Sequence, residues 1–327
     1  MRCHPGGSDA EPDRPRTGST LEVARSESRP CPVTPPGKRV VAVSTTVEQF
    51  TEPLAFHGEG PVWSPDWAGL RFVDMLAGDI VSIDTTGALL DRLHVGSVAA
   101  AFRPRRVGGL VVATERGFAL VNGDGVVHRL PDLWTDPRVR MNDGGCDPQG
   151  RFYCGSMAYD LSPGAGRLYC LEPTGPVHVV LSAVTISNGL AWSPDETTAY
   201  YVDSVTQRID MFDHDPVTGL SGRRPFVEIP AEHGLPDGLA VDRDGGVWVA
   251  LFGGSAVRRY GPDRVLDDVI DLPVSQVTAC TFGGPALDEL YITTSRENVP
   301  HGEQPQAGSV YRARPGVSGL PTSCFVG

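Results

Sequence analysis

From Val40 onward the apolar positions of this chain fall in short runs rich in β-branched and aromatic residues. Leu70-Arg71-Phe72-Val73, Leu110-Val111-Val112-Ala113 and Ala199-Tyr200-Tyr201-Val202 are examples, and Gly, Pro, Asp or Asn separates one run from the next. Runs of this kind read as strands, and their punctuation as turns. No long segment carries the periodicity of an amphipathic helix. The expected fold class is all-β.

The runs also repeat. Glu59-Gly60-Pro61-Val62-Trp63-Ser64-Pro65-Asp66 and Asn188-Gly189-Leu190-Ala191-Trp192-Ser193-Pro194-Asp195 share their closing Trp-Ser-Pro-Asp. Asp237-Gly238-Leu239-Ala240-Val241-Asp242 and Asn142-Asp143-Gly144-Gly145-Cys146-Asp147-Pro148 follow the same template. Units begin near Gly60, Ala99, Asp143, Gly189, Gly238 and Ala279, a spacing of roughly 40 to 50 residues that suits propeller blades. Four strands in each of six units predict a six-bladed β-propeller as a single domain over residues 40–327. Tandem β-sandwiches, the main alternative, would give six segments no common register. The segment Val40 to Phe50 has no unit of its own, and is expected to add a strand to the last blade and close the ring. Residues 1–39 are rich in Pro, Arg, Ser and Gly, and read as a disordered N-terminal tail; a start codon set too far upstream would look the same.

One position of the repeat carries candidate chemistry. It lies just before each blade's first strand, hence at the mouth of the central channel. Glu59, Val98, Asn142, Asn188, Asp237 and Thr278 fill it. Strand direction also brings the ends of second strands to the mouth, which nominates Asp74, Glu115, Asp160 and Asp203, while inter-blade loops add Arg140 and His233. Two carboxylates and two amides on one axis form an all-oxygen set suited to Ca²⁺, Mg²⁺ or Mn²⁺, without the sulfur or imidazole that zinc prefers. Asn-Gly and Asp-Gly are also strong turn signals needing no ligand. That reading leaves unexplained why Glu59, a poor turn residue, shares the position. Trp63, Trp192 and Trp248 read as core packing, and the Ser-Pro-Asp and Asp-Pro-Gln stretches as hairpin turns on the opposite side of the ring.

Composition narrows the partners. A net charge of −12 argues against nucleic acid and anionic membrane surfaces. The seven scattered cysteines show no zinc spacing and read as reduced thiols of a cytoplasmic protein. The apolar runs are far short of a membrane span.

At Gly58-Glu59-Gly60-Pro61-Val62-Trp63, Arg140-Met141-Asn142-Asp143-Gly144, Ile186-Ser187-Asn188-Gly189-Leu190, Tyr201-Val202-Asp203-Ser204, Pro236-Asp237-Gly238 and Thr281-Phe282-Gly283-Gly284 the sequence resembles the gluconolactonase/regucalcin family, also called the senescence-marker-protein family. The resemblance runs from about Phe56 to Ala313. It implies a divalent cation, whether Ca²⁺, Mg²⁺, Mn²⁺ or Zn²⁺, held by Glu59, Asn188 and Asp237. It implies substrate contacts at Arg140, Asn142 and Asp160, the last standing where the family usually has Glu, and a general acid/base at Asp237. The implied activity is hydrolysis of a sugar lactone by water attack on the metal-polarised carbonyl. The alternative is a non-catalytic calcium- or ligand-binding propeller of the regucalcin type. An organophosphate or aryl-ester hydrolase on the same scaffold would need a more apolar mouth than the mostly polar residues nominated by position.

Overall fold

The structure is a computed structural model that describes residues 45–327 apart from residue 68. The tail expected over residues 1–39, with Cys3 and Cys31, lies outside the described residues. Within them, six four-stranded antiparallel sheets stand around one axis as the blades of a propeller. The innermost strands are Gly58–Trp63, Ala101–Pro104, Val139–Cys146, Ser187–Trp192, Leu235–Val241 and Val277–Gly283, in blades 1 to 6. In blades 1 to 5 sequence order is spatial order from the axis outward. Blade 6 is different. Its outermost strand, Val47–Gln49, comes from the other end of the described chain and pairs with Tyr311–Ala313 through Val47↔Ala313, Glu48↔Arg312 and Gln49↔Tyr311. This is the closing strand the sequence suggested.

Aromatic side chains pack where blades meet. Trp63 stacks on Tyr291 at 5.6 Å between ring centroids, Tyr153 packs on Trp192 at 5.7 Å, and Trp248 meets Phe282 edge-on at 5.9 Å. Such pairs contribute about 0.5–1.5 kcal/mol each beyond their buried area. The three tryptophans are core, as their strand positions suggested.

The repeated polar position has a backbone cause. In blade 1 the inner ladder runs from Glu59↔Val73 to Val62↔Arg71, so three residues on one strand span two on its neighbour. The same one-residue bulge falls between Met141 and Gly144, Ser187 and Leu190, and Pro236 and Leu239. A bulge leaves residues out of the ladder and re-aims their side chains. Asn-Gly and Asp-Gly therefore serve inside strands, not as hairpin turns. The glycines let neighbouring inner strands approach: a Cβ at Gly189 would lie 2.6 Å from the Asp237 carbonyl oxygen, and one at Gly238 would lie 2.5 Å from Cβ of Ala279.

Five residues beyond this position, Asp242 and Asp147 staple the turns at the far end of the ring. Fully buried Asp242 accepts from Gly246 N at 2.8 Å, Trp248 Nε1 at 2.8 Å and Arg259 Nε at 2.7 Å. Asp147 likewise takes Arg151 N and Nε. Across this face runs the chain's last segment, bridging Asp242↔Gly319 and Arg105↔Phe325, with Thr322 Oγ1 donating to Trp63 O at 2.9 Å. The cysteines at 146, 154, 170, 280 and 324 are free thiols. Among the described residues no helix is long and apolar enough to cross a membrane.

Candidate functional site

The bulges aim their side chains into one cavity of about 400 Å³ at the opposite mouth, within the usual range for small-molecule sites. Glu59, Asn142, Asn188 and Asp237, from blades 1, 3, 4 and 5, all line it and are all buried. Val98 and Thr278 occupy the corresponding places in blades 2 and 6 but stand outside the lining. Val98 packs in the apolar core, and Thr278 donates to the Gly58 carbonyl at 2.6 Å.

The residues two positions earlier line the same cavity: His57, Arg140, Ile186 and Leu235. Side chains two apart on a strand share a face, so one register supplies two tiers. Arg140 Nη1 donates to Asn142 Oδ1 at 2.6 Å and to the Met141 carbonyl at 3.0 Å. Asn142 in turn donates from Nδ2 to Ser187 O at 2.9 Å. His57 is bonded through Nδ1 to Ser295 Oγ at 2.8 Å, and its Nε2 stands 4.0 Å from Glu59 Oε1. Sequence reasoning missed His57, although its spacing from Glu59 equals that of Arg140 from Asn142.

Two oxygens of this floor have no partner. Asn188 commits Nδ2 to Ser204 Oγ at 3.1 Å, while its buried Oδ1 and the buried Oδ1 of Asp237 make no hydrogen bond. Buried oxygens are rarely left so. Burial, reinforced by the charge of Asp143, pushes Glu59 up to about 8. Burial, then Glu59 and Asp143, holds Asp237 well above the usual carboxylate range. Burial and then Arg140 push His57 down to about 3, so its imidazole is neutral at physiological pH. Carboxylates forced together away from water are the arrangement a cation relieves.

The other residues nominated by position have different work. Asp74 Oδ1 accepts from Phe56 N and His57 N, each at 3.1 Å, and Asp203 accepts from Thr185 N and Ile186 N at 3.1 and 2.9 Å. Both shape the backbone that enters an innermost strand. Glu115 accepts from Tyr159 OH at 2.9 Å. His233 is not among the residues lining the cavity. Asp160, expected as a substrate contact, is also outside it. Its Oδ1 accepts from Ser162 N at 3.0 Å and Ser162 Oγ at 2.6 Å, an Asx turn that engages this oxygen locally. That turn presents Tyr159 and Leu161 to the mouth instead.

The mouth is accordingly less polar than sequence position suggested. Met157, Tyr159, Ile186, Leu235 and Phe252 line it from blades 3 to 5, whereas His57 and Glu297 face them from the side of blades 1 and 6. Away from this mouth, hairpin pairing brings Cys170, Glu172 and His178 within 4.8 Å of one another, a trio that the sequence spacing did not suggest.

Residues 57–296 match the family described as SMP-30/Gluconolactonase/LRE-like region. The chain belongs to this family. A regucalcin from Xenopus laevis is 34% identical over 283 residues, covering 83% of this chain and 95% of that protein. Within the same fold, a luciferin-regenerating enzyme superposes with a TM-score of 0.80 at 31% identity, over 86% of this chain and all of that one. A regucalcin from Agrobacterium tumefaciens, described as a calcium-binding protein, gives 0.78 at 26% identity over 83% of this chain and 94% of that one. The family resemblance drawn from the short motifs is thus borne out, and so is the six-bladed propeller.

Proposed function

We propose that this protein is a hydrolase that opens lactones, with a divalent cation held by Glu59, Asn188 and Asp237. The observation carrying this reading is the pair of buried, unpartnered oxygens, Asn188 Oδ1 and Asp237 Oδ1, on a floor shared with Glu59. The donor set is oxygen only, which fits Ca²⁺, Mg²⁺ or Mn²⁺. Such a cation supplies Lewis-acid polarisation of the lactone carbonyl and activation of water.

The chain's own residues supply the rest. Asp237 takes a proton from the attacking water on its carboxylate as the new carbon–oxygen bond forms. It returns that proton to the ring oxygen as the carbon–oxygen bond of the lactone breaks, leaving a hydroxy acid. Arg140, fixed by Asn142 and the Met141 carbonyl, sets positive charge beside the reacting carbonyl and favours the oxyanion. His57, kept neutral, stays hydrogen-bonded to Ser295 and adds no competing charge.

The experiment is turnover of a panel of lactones with each cation added in turn, on protein first stripped by a chelator. Cation-dependent hydrolysis supports the reading; no hydrolysis with any cation overturns it. The relative described as calcium-binding favours a second reading, a propeller that holds the ion without chemistry. Saturable Ca²⁺ binding with no turnover on any lactone would support that one.

Stability provides an independent check on the ion. A ligand present at about 100 times its Kd stabilises a fold by about 2.7 kcal/mol, which raises Tm by about 5 °C or more in a domain of this size. Chelator-treated protein should show this gain with Ca²⁺, Mg²⁺ or Mn²⁺. An unchanged Tm at millimolar levels of all three removes the cation.

The gain also depends on pH. Glu59 is raised from 4.5 to about 8, so it stabilises the cation-free fold fully below pH 4.5 and loses that contribution as pH rises towards 8. His57, lowered from 6.5 to about 3, acts oppositely, contributing above pH 6.5 and losing that contribution as pH falls towards 3. The interval from 6.5 to 8 therefore isolates the carboxylates. Across it, Tm of the cation-free protein falls as pH rises, and the increment given by Ca²⁺ grows. A flat increment across this interval would count against Glu59 as a ligand.

A further inference from the structure

We propose that the compound opened here carries an apolar substituent next to its lactone carbonyl, and that the wall formed by blades 3 to 5 receives it. The inference rests on the lactone-hydrolase reading above and goes beyond it to the substrate's class. The cavity is divided. Its floor and one side are polar, with Glu59, Asn188, Asp237 and Arg140 below and His57 and Glu297 beside them. The facing side is mainly apolar, with Met157, Tyr159, Leu161, Ile186, Leu235 and Phe252 beside Ser204, while Leu76 is the apolar residue on the side of blade 1.

A sugar lactone presents hydroxyls around its whole ring. Against this wall such hydroxyls would lose water without gaining a partner, which is costly for each group buried. Three donors of the floor are already engaged, Arg140 Nη1 with Asn142, Asn142 Nδ2 with Ser187 and Asn188 Nδ2 with Ser204, while Arg140 Nε has no partner. An alkyl or aryl group loses nothing there and gains burial.

The loop after the second strand of blade 3 supports the same conclusion independently. Leu161 adopts φ +58°, a left-handed conformation that is costly for a leucine, and remains 51% exposed at the rim. Its neighbour Tyr159 is 46% exposed. The Asp160–Ser162 turn keeps both in place. Two large apolar side chains held open to water beside a reactive floor form a surface awaiting an apolar ligand.

The test is kcat/KM for a series of γ-lactones unsubstituted or bearing a methyl, propyl or pentyl group on the carbon next to the carbonyl, with glucono-1,5-lactone alongside, at a saturating level of the activating cation. Each added methylene is expected to raise kcat/KM by about fourfold until the wall is covered. The pentyl lactone should exceed the sugar lactone by more than about tenfold. Turnover with a flat series, or with the sugar lactone preferred, overturns this inference and leaves the hydrolase standing. No turnover of any member overturns both.

Leu161→Asn provides a second measurement. Asn tolerates the left-handed conformation, so the variant should keep its fold. The pentyl-to-unsubstituted ratio of kcat/KM should fall by about threefold or more, the loss of part of the apolar wall. An unchanged ratio in a folded variant also overturns the inference.

Discussion

Asp237→Asn is expected to lower kcat for the proposed lactone opening by about 10²–10⁴, the usual contribution of a positioned general base. The magnitude follows from its setting. Asp237 is buried on the cavity floor and its Oδ1 has no partner, which leaves an oxygen free to accept a proton. The amide keeps an oxygen able to hold a cation and loses the proton-accepting oxygen. The variant should therefore still gain Tm on adding Ca²⁺, by less than the parent, while turnover collapses at every cation concentration. Glu59→Gln provides the contrast. It weakens the ion's hold without removing the base, so added cation restores a large part of its activity. Near-normal kcat in Asp237→Asn would end the assignment of the base. Equal rescue of both variants by added cation would reduce Asp237 to a ligand.

Asp242→Ala destabilises the fold by about 3–5 kcal/mol, the range for removing one partner of a buried ion pair. The carboxylate lies at the far end of the ring from the cavity and holds Trp248 Nε1, Arg259 Nε and two backbone amides of its own turn. Without it Arg259 Nε and the Trp248 indole N–H lose their acceptor in a place water reaches poorly, while Arg259 Nη1 keeps its bond to Asp267. Urea unfolding should show a lower midpoint with an unchanged m-value. Asp242→Asn, which keeps an acceptor, should recover part of the loss. A change below about 1 kcal/mol would mean that the turn is held by its backbone alone. Since Asp242 is outside the cavity, KM for a lactone should move little while the protein remains folded.

The ring was legible in the sequence because every blade must begin its innermost strand in the same register. Glu59, Asn142, Asn188 and Asp237 could be aligned even though their side chains differ. The bulge that aims them could not be read, because Asn-Gly and Asp-Gly signal a hairpin turn as readily as an extra residue in a strand. His57 escaped notice because a lone histidine carries little information until its two-residue offset from Glu59 is compared with that of Arg140 from Asn142. Asp160 stands outside the cavity lining for a local reason: Asp-Leu-Ser is an Asx-turn sequence, and the turn engages Oδ1 of the carboxylate. The apolar wall was hidden more deeply. Met157 is next to last and Phe252 last in second strands whose other residues are buried, and only the ring's curvature separates a core position from one facing the cavity.

The pairing of Val47–Gln49 with Tyr311–Ala313 joins residues far apart in the chain, Glu48 and Arg312 being separated by 264 positions. Nothing local rewards that contact, so the ring can latch only after the intervening blades have formed. Until then Tyr311–Ala313 offers an open edge to any matching strand, including the same segment of a second molecule. Crowded refolding should thus yield strand-exchanged dimers, each chain completing the other's final blade. Dilution should favour the self-latched ring.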